Sequence, residues 1–197
     1  MIRKIFLTLI TLVFSTALFA QSTSVHIKGG VQYPSDPDKL GFDSALTFNL
    51  GLDKYFALGV ESGFGMLQWK EKGNKVGFGG LSGAQVDKSN AYSLPLLAVA
   101  TIRLADMMED YGFMPYITGG AGYSWTWYRH PNFKDRFDGF TWQAVGGFEF
   151  KLGADSDLAL VIEGGYRGAA VENSKNWELN MSGWIGRVGI SIPLVSD

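Results

Sequence analysis

Between residues 24 and 192 apolar and polar residues alternate with a period of two, in segments bounded by turn-forming residues. Such a period places neighbouring side chains on opposite faces of an extended strand. It predicts strands and excludes amphipathic helices, whose period is about 3.6. Eight segments are legible: 24–33, 44–53, 55–69, 90–104, 113–128, 140–152, 158–170 and 179–192. After Gln21 no stretch sustains a helical period.

The connections alternate in character. Those at Asp53-Lys54 and Gly153–Asp157 are short, and 105–112 is somewhat longer. The other four, 34–43, 70–89, 129–139 and 171–178, are long and polar or Gly-rich. Short turns at one end and long loops at the other is the asymmetry of barrels that cross a membrane with strands. The chain has no cysteine, which excludes a disulfide framework and a thiolate metal site. Twenty-six glycines, many inside apolar stretches such as Gly119-Gly120-Ala121-Gly122, suit the tight curvature of a small closed barrel.

Residues 1–20 open with Arg3 and Lys4, run apolar from Ile5 to Phe14, continue through Ser15, Thr16 and Ala17, and reach Ala20-Gln21, with Leu18 larger than the small residue preferred two places before the cut. This is the pattern of a cleaved secretory signal peptide, and the apolar run is shorter than the roughly 18 residues a spanning helix needs. The expected division is a leader, 1–20, and one barrel domain, 21–197. Loss of the leader takes the formal net charge from −2 to −4, which excludes the basic footprint of a nucleic-acid binder.

Parity divides each strand into two faces. Phe140, Trp142, Ala144, Phe148 and Phe150 share one face against Thr141, Gln143, Glu149 and Lys151. Likewise Leu158, Leu160, Ile162 and Tyr166 oppose Glu163 and Arg167, and Phe56, Leu58, Val60 and Phe64 oppose Glu61. Aromatic residues separate into two bands. Trp69, Trp125, Trp127, Trp142, Trp177 and Trp184 lie toward the long-loop end, and Tyr55, Phe56, Phe113, Tyr116, Phe148 and Phe150 toward the short-turn end. Two bands flanking an aliphatic zone match rings seated at two lipid–water interfaces. The apolar face is therefore expected to meet lipid and the charged face to line the lumen. The fold class expected is all-β: an eight-stranded antiparallel up-and-down transmembrane β-barrel.

The stretch Pro115-Tyr116-Ile117-Thr118-Gly119-Gly120-Ala121-Gly122-Tyr123 resembles the fifth-strand pattern of small bacterial outer-membrane β-barrel proteins, the OmpA- and OmpX-like group. Tyr92-Ser93-Leu94-Pro95-Leu96-Leu97, followed by Arg103, resembles the strand before it. The resemblance covers the leader and essentially all of the remaining chain, and it implies the same architecture in the bacterial outer membrane. Arg187-Val188-Gly189-Ile190-Ser191-Ile192-Pro193-Leu194 is similar to the last-strand signal read by the barrel-assembly machinery. It departs in lacking a terminal aromatic residue and in Pro193, which cannot donate to a ladder.

The charges on the lumen face are expected to pair with one another, since an unpaired buried charge is costly. The interior polar network expected is Lys28, Glu61, Arg103, Glu149, Lys151, Glu163, Arg167 and Arg187, with His26 nearby. Its expected role is structural, because an eight-stranded barrel holds little beyond its own side chains.

Catalysis is weakly supported. Ester hydrolysis needs a nucleophile, a base and an orienting carboxylate. The histidines are His26 and His130, and neither stands in the His-x-Ser arrangement of barrel deacylases. No catalytic residue, cofactor or metal ligand is assigned: two distant histidines make no ligand cluster. Asp36-Pro37-Asp38 and Asp155-Ser156-Asp157 lack the remaining Ca²⁺-ligand spacing. The expected role is structural or surface-interacting. Expected partners are outer-membrane lipid, lipopolysaccharide and, during biogenesis, the assembly machinery. A surface ligand could reach loops 70–89 and 129–139, which carry Lys70, Lys72, Lys75 and Lys88, and Arg129, His130, Lys134 and Arg136. The alternatives are a secreted lipocalin-like carrier, with an apolar interior, and a lipid A-modifying enzyme.

Overall fold

The computed structural model describes residues 22–35, 38–73, 85–130, 133–153, 156–174 and 178–195. The expected leader, Asp36 and Pro37, Asp155, Trp177 and the centre of the 70–89 connection lie outside those residues.

The elements are β1 (Ser22–Pro34), β2 (Gly41–Gly51), β3 (Phe56–Gly73), β4 (Gln85–Arg103), α1 (Asp106–Tyr111), β5 (Phe113–His130), β6 (Phe133–Lys151), β7 (Ala159–Glu172), β8 (Glu178–Asn180) and β9 (Gly183–Val195). Eight long strands pair antiparallel, each with the next, and β9 returns to pair with β1. The three-residue β8 continues the β9 row on β7. Closure pairs the backbone of the whole ring, which hydrocarbon surroundings require because they offer no water to an open edge.

Proline interrupts the ladders where it must. The β3–β4 pairing skips the positions beside Pro95, running from Ser62–Leu96 to Gly65–Ser93. The β1–β9 register shifts between Ser24–Pro193 and Thr23–Val195, a bulge at the proline noted in the last strand. Glycine is required where strands crowd. A Cβ on Gly122 would overlap the Leu96 carbonyl and stand 2.8 Å from Leu97 Cα, whereas one on Gly119 would meet nothing within 4 Å.

The faces fall as parity predicts. Phe48 (40 % exposed) and Ile162 (43 %) point out of the ring, and Glu163 (5 %) and Arg167 (4 %) point into it. Phe148 and Leu58 are likewise outward.

The wall is lopsided. β3, β4, β5 and β6 have 18, 19, 18 and 19 residues, against 13, 11, 14 and 13 for β1, β2, β7 and β9. About 9–11 residues suffice to cross a bilayer, so the β3–β6 side projects well past the lipid. The 129–139 connection expected from the sequence is therefore mostly ladder: β5 and β6 pair as far as His130–Phe133. Likewise β3 and β4 pair as far as Gly73–Gln85, inside the expected 70–89 loop.

In this projecting part the alternation changes meaning. Inward positions become apolar: Leu67, Trp69, Ala91, Phe137, Ala169, Val171 and Met181 form one buried cluster. Outward positions become charged: Arg129, Lys134, Arg136 and Glu172 are exposed. Beyond the lipid the wall meets water, and the outward-apolar rule gives way to that of a soluble sheet. Trp69, expected in the interfacial band, belongs to this inner cluster instead.

At the opposite end, the connection over 105–112 contains the helix α1, which stops at Gly112 with a left-handed φ of 75°. Lys54 Nζ donates to Asp106 Oδ1 at 2.7 Å, and Tyr55 Oη to Asp106 Oδ2 at 2.9 Å. These bonds tie the β2–β3 turn to α1.

Candidate functional site

The lumen is occupied by side chains that alternate strands deliver to its centre. Lys28 of β1 places Nζ 3.0 Å from Glu61 Oε2 and 3.0 Å from Glu163 Oε1. Arg187 of β9 spans the same two carboxylates, Nη1 to Glu61 Oε1 at 2.9 Å and Nε to Glu163 Oε1 at 2.8 Å. Arg167 of β7 pairs through Nη1 with Asp43 Oδ2 of β2 at 2.7 Å. The cluster thus holds three cations and three carboxylates, a balance that spares the barrel an uncompensated buried charge.

Neutral donors complete it. Thr47 Oγ1 donates to Glu61 Oε2 at 2.9 Å, and Gln143 Nε2 to Glu61 Oε1 at 2.8 Å. Tyr116, expected in the interfacial band at the short-turn end, is instead buried in the lumen, where its Oη donates to Glu163 Oε2 at 2.7 Å, and Arg167 Nη2 donates to Gln143 Oε1 at 3.2 Å. Among the described residues, seven of the eight long strands contribute a side chain, β4 being the exception.

Five residues of the expected network therefore meet here: Lys28, Glu61, Glu163, Arg167 and Arg187. Glu149 lies beside His26, Oε1 to Nε2 at 3.7 Å. Arg103 closes the short-turn rim, donating through Nη2 to the Asp53 carbonyl and through Nε to the Lys54 carbonyl, both at 3.1 Å. Lys151 is a correction. It has the inward parity of Glu149 but is exposed, because β6 ends there and the enclosed lumen ends with it.

Asp43 escapes a reading of the sequence that begins β2 at residue 44. The signal was present: counting back by twos from Asn49 and Thr47 through Ala45 puts Asp43 on the inward face.

The histidine does not build a relay. Ser24 Oγ and Glu149 Oε1 both approach the same ring nitrogen of His26, Nε2, at 3.4 and 3.7 Å. A relay needs nucleophile and carboxylate on opposite nitrogens. Asn49 Nδ2 sits 3.3 Å from that nitrogen as well. Among the described residues no group of three or more His, Asp or Glu is disposed to hold a metal ion.

Above the ion cluster stands the apolar one, where Trp69 and Tyr128 pack at a 43° tilt with ring centroids 5.7 Å apart and Phe137 meets Tyr128 edge-on at 6.5 Å. Two layers of different chemistry thus fill the lumen in series. Outside, Trp142, Tyr166 and Trp184 form a row across β6, β7 and β9, with centroid spacings of 6.0 and 5.5 Å. This is the interfacial girdle at the long-loop end.

Solved structures share this architecture. The chain is similar to the outer membrane protein OprG of Pseudomonas aeruginosa, with 13 % identity, 90 % of this chain and 97 % of that one covered, and a TM-score of 0.57. It is similar to Neisserial surface protein A, with 10 % identity, 87 % and 95 % covered, and a TM-score of 0.55. It is also similar to the N-terminal β-barrel domain of Pseudomonas aeruginosa OprF, with 10 % identity, 89 % and 98 % covered, and a TM-score of 0.52. At such identities the likeness is one of fold. No curated protein matches the sequence. Residues 6–184 match the outer membrane protein beta-barrel domain family, and with its ring of eight strands, apolar outside and charged within, the chain belongs to that family.

Proposed function

We propose that residues 1–20 are a cleaved leader and that the barrel serves in the bacterial outer membrane as a closed, non-catalytic platform whose projecting β3–β6 wall meets surface partners. The observation that carries this reading is the doubly filled lumen, with the ion cluster around Glu61 and Arg187 below the apolar cluster around Leu67 and Trp69. Ions crossing it would have to displace paired charges and then a dry layer, both costly. A lipocalin-like carrier needs an apolar cavity; here charged groups occupy the middle of the barrel. The shared nitrogen at His26 gives an acyl hydrolase no relay. Biogenesis through the barrel-assembly machinery is supported by the similarity of β9 to its signal, the bulge at Pro193 being the departure.

The test is planar-bilayer recording on the protein purified from membranes, together with acyl release from lipopolysaccharide. The expected result is neither conductance steps nor released acyl chains. Sustained single-channel steps, or release abolished by His26→Ala, would overturn the reading.

A further inference from the structure

The outer face of the projecting wall separates its charges into two zones that meet on β6. Arg129 near the end of β5 faces Lys134 of β6 in register, and Trp127 faces Arg136 one outward step below. All three cations are exposed, and the Arg129 guanidinium lies 5.8 Å from the Tyr92 ring centroid. Around the barrel from β6 the sign reverses. Asp138 faces Glu172 of β7, and Glu172 faces Glu178 of β8, so three carboxylates stand in a row. The boundary between the two zones is Arg136 Nε to Asp138 Oδ1, a loose contact of 3.9 Å.

Height gives this segregation a meaning. On β5 the outward positions run Ile117, Gly119, Ala121, Tyr123, Trp125 and Trp127 before reaching Arg129. The cations therefore begin beside the topmost ring of the aromatic girdle, where Arg136 faces Trp127, and continue one outward step above it with Arg129 and Lys134, at the height of lipid headgroups. Cross-strand like charges destabilise a sheet unless a counter-charge joins them. Guanidinium groups match phosphate in charge and in bidentate geometry. The acidic row beside them would repel the same phosphates.

We propose that the β5–β6 rim, through Arg129, Lys134 and Arg136, binds the phosphate groups of the outer-leaflet glycolipid, while the β6–β8 rim does not. The barrel then carries a one-sided glycolipid collar. The proposal rests on the outer-membrane placement above and names the partner of the projecting wall.

The test titrates three probes into the full-length gene product purified from membranes and held in zwitterionic micelles: bisphosphorylated lipid A, lipid A stripped of phosphate, and phosphatidylglycerol. Bisphosphorylated lipid A is expected to bind about ten-fold or more tighter than the stripped form, as charge-assisted hydrogen bonds allow, and less tightly as salt rises. The triple variant R129Q/K134Q/R136Q is expected to lose that preference, and E172Q/E178Q to keep it. Folding of each variant is read from heat-modifiable gel mobility. Should the triple variant not fold, R129Q and K134Q singly are expected to lower the preference. Unchanged preference in the cation variants overturns the proposal. So does loss of preference in E172Q/E178Q, or equal binding of phosphatidylglycerol, which would mean attraction to any anionic lipid. A conducting barrel that still prefers bisphosphorylated lipid A would sink the closed-platform reading and leave the collar standing.

Discussion

Glu61 of β3 and Arg187 of β9 meet at 2.9 Å in the middle of the barrel, although 126 positions separate them in the sequence. Both are almost wholly buried, and each also touches further partners of opposite sign. The pair clamps strands that lie three places apart around the ring, with β2 and β1 between them, so its energy is stored in closure.

Removing one charge from a balanced buried cluster leaves another uncompensated. Arg187→Met is therefore expected to lower stability by about 3–5 kcal/mol, measured as a shift of the urea unfolding midpoint by tryptophan fluorescence in micelles. The double variant Glu61→Gln with Arg187→Gln should lose less than the sum of its single variants, because it removes one charge of each sign. Strict additivity would mean that the two side chains do not interact.

The apolar layer is tested separately. Leu67 is fully buried in that layer, so Leu67→Ala is expected to cost about 2–5 kcal/mol through lost contacts and the cavity left behind. Conductance should stay absent, since the ion cluster still blocks the lumen. Channel steps in this variant alone would show that the apolar layer is the seal.

Two glycines of one strand predict opposite outcomes. Gly122→Ala would force the β4 backbone away from β5 and is expected to destabilise by about 1–3 kcal/mol. Gly119→Ala faces open lipid and is expected to be neutral or to stabilise by about 0.4–1 kcal/mol, by restricting the unfolded chain. Thermal gel-shift midpoints of the two variants check both signs.

The short-turn rim should respond to acid. The hydrogen bond from Lys54, and after it the bond from Tyr55, hold the Asp106 carboxyl below the usual aspartate range. A depressed carboxylate contributes stability above its unfolded pKa and loses it as pH falls through the folded one, so the link weakens below about pH 4. An NMR titration of the Asp106 carboxyl carbon should show a midpoint below that of free aspartate, moving up in Lys54→Ala. Both groups are exposed, so the effect on global stability is expected to be small.

Much of the barrel is legible in the sequence because lipid enforces one rule over the spanning part of every strand. Val25, Ile27 and Val31 against His26, Lys28 and Gln32 read correctly on parity alone. Reading fails where lipid stops. Arg129, Lys134, Asp135 and Arg136 look like a solvated loop, yet they belong to strands whose outer face meets water and whose inner face is capped by Phe137. Parity puts Gln143 on the inward face but does not mark it, or Asp43, as a member of the cluster, because an ion cluster is a property of which strands face each other across the ring. Periodicity carries the face of a residue; it carries neither its height nor its opposite number. Lys151 shows this, having the right parity and the wrong height.

The seam where β1 meets β9 makes the barrel an all-or-nothing object. Until the final strand arrives, the first has an unclaimed edge, and Lys28 lacks a neighbouring Arg187 to share Glu61 and Glu163. A copy truncated before β9 would not be a slightly weaker barrel but an unsealed ribbon with two sticky margins.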